Sequence, residues 1–139
     1  MKKTNEEKIL EKLDKLVDLV TNKSEEEFEI CNGLMWSNSI GKELTWNEAM
    51  NYAKNLQEGG YNDWRLPTIS ELQNVFDYEK GKNKIEWSFN YGTSYWSATT
   101  TSSNTQSAWF TYQTSGLTFY STKVTATYSV RCVRWAKLI

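Results

Sequence analysis

The sequence predicts an α+β domain with antiparallel sheets, preceded by an N-terminal helix. Three observations carry this. Two helix-start signatures of one form, Thr45 with Glu48 and Thr68 with Glu71, fall in the first half of the chain. The second half alternates apolar and polar residues around Ser115-Gly116, as paired strands do. Helices grouped early and strands grouped late describe an α+β domain with an antiparallel sheet. The third observation is compositional. Residues 88–130 carry a single charge, Lys123, and are rich in Ser, Thr, Tyr, Phe and Trp, while the rest of the chain is highly charged.

Residues 6–20 read as the N-terminal helix. Ile9, Leu13, Leu16 and Val20 are spaced as a short heptad seam, which Leu10 and Val17 widen. At about two heptads such a helix is too short to be stable alone in water. It either packs on its own domain or associates with copies of itself. A polar hinge without apolar residues follows at residues 21–27. The chain therefore divides into residues 1–27, helix and hinge, and residues 28–139, the α+β domain proper.

Residues 28–36 read as a strand interrupted at Asn32-Gly33. At Thr45 and Glu48, a hydroxyl at the cap and a carboxylate three residues later satisfy free backbone donors reciprocally. The helix they start runs to about Leu56 with an apolar stripe of Trp46, Ala49, Met50, Ala53 and Leu56, and Gly59-Gly60 is expected to end it. Thr68 and Glu71 repeat the device just after Pro67, with Ile69, Leu72, Val75 and Phe76 facing inward. A charged loop fills residues 79–86. Strands are expected at residues 95–98, at 108–114 paired with 117–123, and at 130–135. On the last, Val130, Cys132 and the indole of Trp135 are the candidates for the core, and Arg131 and Arg134 are candidate ion-pair partners. The strand containing Ile30 is expected beside the strand containing Cys132.

Composition excludes several classes of function. The formal charge of −1 gives neither nucleic acid nor a membrane surface a basic patch to work through. The chain contains no His, which removes the commonest general base and the commonest zinc ligand. Cys31 and Cys132 are too far apart in sequence for a Cys-x-x-Cys redox motif and read as buried, reduced thiols; a disulfide stays open if the first and last strands pair. Lys2 and Lys3 precede no apolar run, so no signal peptide or membrane-spanning helix is expected. That suits a phage or viral particle, the cytoplasm, or a piece of a longer chain. Asp63 and Glu71 read as helix-end and ion-pair carboxylates rather than an acid–base pair, and Trp64 and Arg65 as structural. Neither enzymatic activity, nor a metal, nor a cofactor is expected.

The charge-poor stretch points to binding. Aromatic rings supply contact area at low entropic cost, and small hydroxyl residues supply adaptable hydrogen bonds. Side chains two apart share a strand face. If Trp109 is core, Phe110 and Tyr112 point outward; of Phe119 and Tyr120, one must. The candidate ligand-binding residues are Phe110, Tyr112, Thr114, Leu117, Phe119, Tyr120, Ser121, Val124 and Thr125, on a core held by Trp36, Trp64, Trp96 and Trp109. In the alternative, the N-terminal helix or a neighbouring subunit buries both faces.

An ordered series of motifs carries a resemblance. Gly33-Leu34-Met35-Trp36 is followed by Leu44-Thr45-Trp46 with Glu48-Ala49, then by Asp63-Trp64-Arg65-Leu66-Pro67-Thr68 with Glu71-Leu72. Tyr95-Trp96-Ser97, Ala108-Trp109 and Val130-Arg131-Cys132-Val133-Arg134 complete it. The series resembles the Lcl C-terminal domain family, which implies a C-type-lectin-like fold, related to formylglycine-generating enzymes through the Arg-Leu-Pro-Thr segment. The resemblance implies one of two settings: an adhesin or glycan-binding module, or the variable protein of a diversity-generating retroelement, whose last strands and loops are rewritten to diversify binding. The partner implied is a protein or glycan on a target surface. Sugar-binding C-type lectins hold calcium with a Pro-containing loop and carboxylates. This chain has one Pro and no Asp or Glu after Glu86, so calcium-dependent sugar binding is not expected. The cysteine pair of the formylglycine-generating enzymes and the iron-binding His of their ergothioneine-type relatives are not matched either.

Overall fold

The computed structural model describes residues 2–21, 28–87 and 93–136, with backbone alone for residues 14–21. Residues 22–27 of the predicted hinge and residues 88–92 of the charge-poor stretch lie outside the described residues. Helix α1 (Asn5–Thr21) comes first. The domain then runs β1 (Glu29–Cys31), β2 (Leu34–Trp36), α2 (Trp46–Asn55), a 3-10 turn (Glu58–Gly60), α3 (Ile69–Val75), β3 (Phe76–Asp77), β4 (Lys82–Asn83), β5 (Ser94–Thr100), β6 (Ser107–Tyr112), β7 (Leu117–Thr122) and β8 (Val133–Trp135). Among the described residues the strands form three antiparallel sheets, in the orders β1-β2-β8, β3-β4 and β5-β6-β7.

Both predicted capping boxes form. Thr45 Oγ1 accepts from the Glu48 amide and Glu48 accepts from the Thr45 amide; Thr68 and Glu71 do the same. The predicted interrupted strand is a hairpin. Asn32 (φ 55°) and Gly33 (φ 77°) both take positive φ, which a two-residue turn between twisted strands requires. β2 consequently lies between β1 and β8, so the Ile30 strand is not the direct neighbour of the last strand. The last strand is also shorter than expected, and of its three core candidates Val130 and Cys132 are buried while Trp135 is 65% exposed. Residues 130–132 are held instead by single contacts, such as the Ser37 amide donating to the Cys132 carbonyl (2.9 Å). The small β3–β4 hairpin occupies part of the predicted charged loop.

The core is two clusters on either side of the chain's central strands. Met35, Trp96, Val130 and Cys132 belong to one, with Leu44, Ala49, Ala53, Trp64 and Phe110. Leu34, Trp36, Tyr95 and Val133 belong to the other, with Leu72, Val75 and Cys31. Neighbouring residues of an extended chain point to opposite faces. Met35 and Trp36, Tyr95 and Trp96, and Cys132 and Val133 therefore each feed both clusters. This is why Leu-Met-Trp is buried at every position and shows no alternation.

Polar anchors join the pieces. Trp96 Nε1 donates to the Leu44 carbonyl (2.8 Å), and the Cys132 amide donates to Ser37 Oγ (2.8 Å). Arg134 clasps Asp63 through Nε (2.6 Å) and Nη2 (3.2 Å) and lies over the Tyr61 ring at 3.6 Å. Arg65 clasps Glu71 in the same two-pronged way (2.7 and 2.8 Å). Arg134 is thus the ion-pair partner the sequence suggested. Arg131 donates to the carbonyls of Ser37 and Glu86 and packs over Trp87.

Candidate functional site

The predicted site residues fall on the β6–β7 hairpin and the turn after it. The strands pair without a break over six positions, from Ser107 opposite Thr122 to Tyr112 opposite Leu117. One face carries Ala108, Phe110 and Tyr112 opposite Ser121, Phe119 and Leu117. The other carries Ser107, Trp109 and Thr111 opposite Thr122, Tyr120 and Thr118.

The expected inside and outside of β6 are exchanged at one pair. Trp109 is only half-buried, resting edge-on against Tyr120 (5.3 Å). Phe110 is 9% exposed. It stacks on Tyr128 at 4.0 Å and 26° and meets Trp96 edge-on. The physical reason is that both faces of β6 are covered, each at a different position. Tyr128 closes over Phe110 on one face. On the other, Thr111 and Gln113 are fully buried, and Thr111 Oγ1 donates to Gln113 Oε1 (2.6 Å) while Gln113 Nε2 donates to Asn83 (2.8 Å).

Beyond Phe110 the surface opens. A depression of about 510 Å³ is floored by Phe110 and Tyr128, walled by Tyr112, Leu117 and Phe119, and rimmed by Ser94 and Ser115. Among the described residues no charged side chain lines it. Tyr112 is 43%, Leu117 57% and Phe119 48% exposed. Its end is fixed by the Gln113–Gly116 turn. Gly116 takes φ 73°, and a Cβ there would lie 2.6 Å from the Phe76 ring. The Tyr78 hydroxyl donates to the Gly116 carbonyl (2.6 Å) and holds the turn down.

Tyr112, Leu117 and Phe119 are thus brought together over Phe110, with Ser121 half-buried further along the same face. Tyr120, 62% exposed, belongs to the opposite face beside Trp109. Thr114 projects from the hairpin turn, and Val124 and Thr125 from the turn after β7, all exposed. Sequence reasoning missed Tyr128, Ser94 and Ser115. The spacing of Tyr128 to Val130 and Cys132 was the available signal for Tyr128, since alternate residues of an extended segment share a face.

Other candidate chemistry is accounted for. Hydrogen bonding to Arg134 holds the Asp63 carboxyl below its usual range, and hydrogen bonding to Arg65 does the same for Glu71. The two carboxylates are occupied with different partners. Cys31 and Cys132 are free and buried in separate clusters. Burial pushes the Cys132 thiol up to about 12 and raises that of Cys31. Among the described residues no three His, Cys, Asp or Glu side chains gather as metal ligands.

The family model for the Lcl C-terminal domain matches residues 29–134. The chain belongs to the Lcl C-terminal domain family. The match spans every element from β1 to β8 except the last residue of β8. No curated protein matches the chain closely enough to be counted a relative. The mixture of helices and antiparallel sheets is that of the C-type-lectin-like fold, and membership of this family points to a ligand-binding domain.

Within this Lcl C-terminal domain, floor and wall residues should respond differently to truncation. Phe110→Ala should cost about 3–5 kcal/mol in urea unfolding, as removal of a buried Phe does. Phe119→Ala and Tyr120→Ala should each stay below roughly 1 kcal/mol, near the range for surface changes.

Proposed function

We propose that this Lcl C-terminal domain is a non-enzymatic recognition protein whose β6–β7 surface meets a ligand on a target surface. We further propose that it is the variable protein of a diversity-generating retroelement carried by a phage or virus. The observation that carries the reading is the exposure of Tyr112, Leu117, Phe119, Tyr120 and Val124 on a framework that does not need them. Apolar patches of this kind on soluble proteins mark interaction sites. None of the five belongs to either core cluster, so each can change without a cavity forming beneath it. A rigid support also lowers the entropy lost on binding. A glycan-binding adhesin module is the second reading, favoured by the exposed Phe119 and Tyr120 rings next to Thr and Ser hydroxyls.

The retroelement reading is tested at the gene. A reverse-transcriptase gene and a near-copy of the 3′ coding end should lie beside it. Sequences from a propagated population should differ at codons 112, 117, 119, 120 and 124 while Trp36, Trp64 and Trp96 stay constant. A neighbourhood without either feature, and surface codons as constant as those of the core, would defeat it.

Helix α1 fits the same role as an assembly device. Ile9, Leu10 and Leu13 are all exposed in the single chain. An isolated helix of this length is marginal in water, so its apolar face needs a partner. Self-association would multiply weak contacts to a repetitive target. Replacing Leu13 and Leu16 with Asp should lower the mass seen by light scattering and leave the melting of the domain unchanged. A monomeric mass in both proteins would reject self-association.

A further inference from the structure

The outer edge of β7 has a feature that the exposed side chains do not explain. The Lys123 amide donates to the Gln106 carbonyl (2.9 Å), which continues the β6–β7 register by one pair. Hydrogen-bonded pairs alternate in an antiparallel ladder. The bonded pairs are therefore Phe110 with Phe119, Ala108 with Ser121 and Tyr112 with Leu117. On the other side of β6, the Gln113 amide donates to the Thr93 carbonyl (2.8 Å), so odd-numbered residues of β6 serve β5 and even-numbered ones serve β7. It follows that the backbone groups of Thr118, Tyr120 and Thr122 point away from β6. The Thr122 carbonyl is used by the Ala126 amide (3.3 Å). The amides and carbonyls of Thr118 and Tyr120 have no partner among the described residues.

Proteins normally protect such an edge with Lys, Pro, a bulge or a very short strand. β7 has none of these: its sequence is Leu-Thr-Phe-Tyr-Ser-Thr, and its pairing is unbroken over six residues. Lys123, the nearest charge in sequence, is folded back, with Nζ 4.1 Å from the centre of the Trp46 ring. The other edges differ. β1 has three residues and carries Glu29. The outer side of β5 is occupied, with the Trp96 amide donating to Ser129 (3.1 Å) and the Ala98 amide to Pro67 (2.7 Å).

We propose that the β7 edge takes an extended segment of a partner protein as a fourth strand of the β5-β6-β7 sheet. This rests on the reading of the surface as a ligand-binding one and names the ligand class. Strand addition of this kind draws affinity from main-chain hydrogen bonds and specificity from alternate side-chain pockets. Here the free groups of Thr118 and Tyr120 supply the ladder. Successive side chains of the added strand fall alternately beside Phe119, along the depression, and beside Tyr120 and Trp109. The depression offers no charge among the described residues, so the side chains that lie along it are uncharged, apolar or hydroxyl-bearing. The arrangement also explains how a surface can be rewritten and still bind. The ladder uses backbone only, so substitution at Leu117, Phe119 or Tyr120 retunes partner choice without removing it.

The test uses the full chain and peptides selected on it from a random linear dodecapeptide library. In the free protein the Thr118 and Tyr120 amides should exchange rapidly with solvent; bound peptide should slow both about tenfold or more, as new hydrogen bonds form. Thr118→Pro removes an outward donor and no β6–β7 bond, so it should weaken peptide binding about tenfold with an unchanged melting temperature. Exchange in the unaltered protein decides the matter if that variant does not fold. Peptides that bind over Phe119 without protecting these amides would overturn the edge proposal and leave the recognition surface standing. A library that yields no binders to this hairpin would overturn both. A doubled mass in free protein that Thr118→Pro abolishes would assign the edge to a second copy and likewise overturn the proposal.

Discussion

The structure depends on the need to cover both faces of strands that are only three residues long. Met35 and Trp36 are adjacent and fully buried, yet they point into different clusters. A three-residue strand cannot hold itself in a sheet, so cover must come from elsewhere. α2 brings Ala49 and Ala53 to one side, and α3 brings Leu72 and Val75 to the other. The two-pronged pairs Arg65–Glu71 and Arg134–Asp63 hold the segment before α3 against its own helix and against β8. Fork-shaped pairs of this type fix geometry as well as adding energy.

From that centre outward, the β5-β6-β7 sheet becomes a platform. Trp96, Phe110 and Tyr128 form its last tightly packed aromatic layer. Phe119 lies against Phe110 at 5.9 Å but is otherwise open. The boundary between framework and surface therefore falls between two rings in contact. The scarcity of charge suits the recognition role proposed for this surface. A charge buried at an interface without a partner is costly, whereas a hydroxyl adapts to several neighbours. A surface of rings and hydroxyls is the one that many different ligands can cover.

What local chemistry decides was legible in the residues. The two capping boxes and the Ser115-Gly116 hairpin depend on neighbours in sequence or on simple alternation. The Asn32-Gly33 hairpin was also within reach, because that dipeptide suits a turn with two positive φ values. The burial of Phe110 was not. It depends on Tyr128, which reaches it from a segment with no regular structure, and on Gln113 meeting Asn83 across the other face. In a strand covered on both sides, alternation says which residues share a face but not which face is sealed at a given position. The division of the nine candidate residues between two faces and two turns followed from the register, which pairing alone reveals.

The separation of scaffold from surface requires that the surface residues be dispensable to the fold. The direct measurement is simultaneous randomisation of positions 112, 117, 119, 120 and 124, scored clone by clone for protease resistance and cooperative thermal unfolding. Most clones should fold with melting temperatures near that of the parent, while randomising Trp96, Phe110 and Tyr128 together should leave almost none folded. If most clones of the first library were protease-sensitive, the five side chains would be part of the framework, and the separation of scaffold from recognition surface would be wrong.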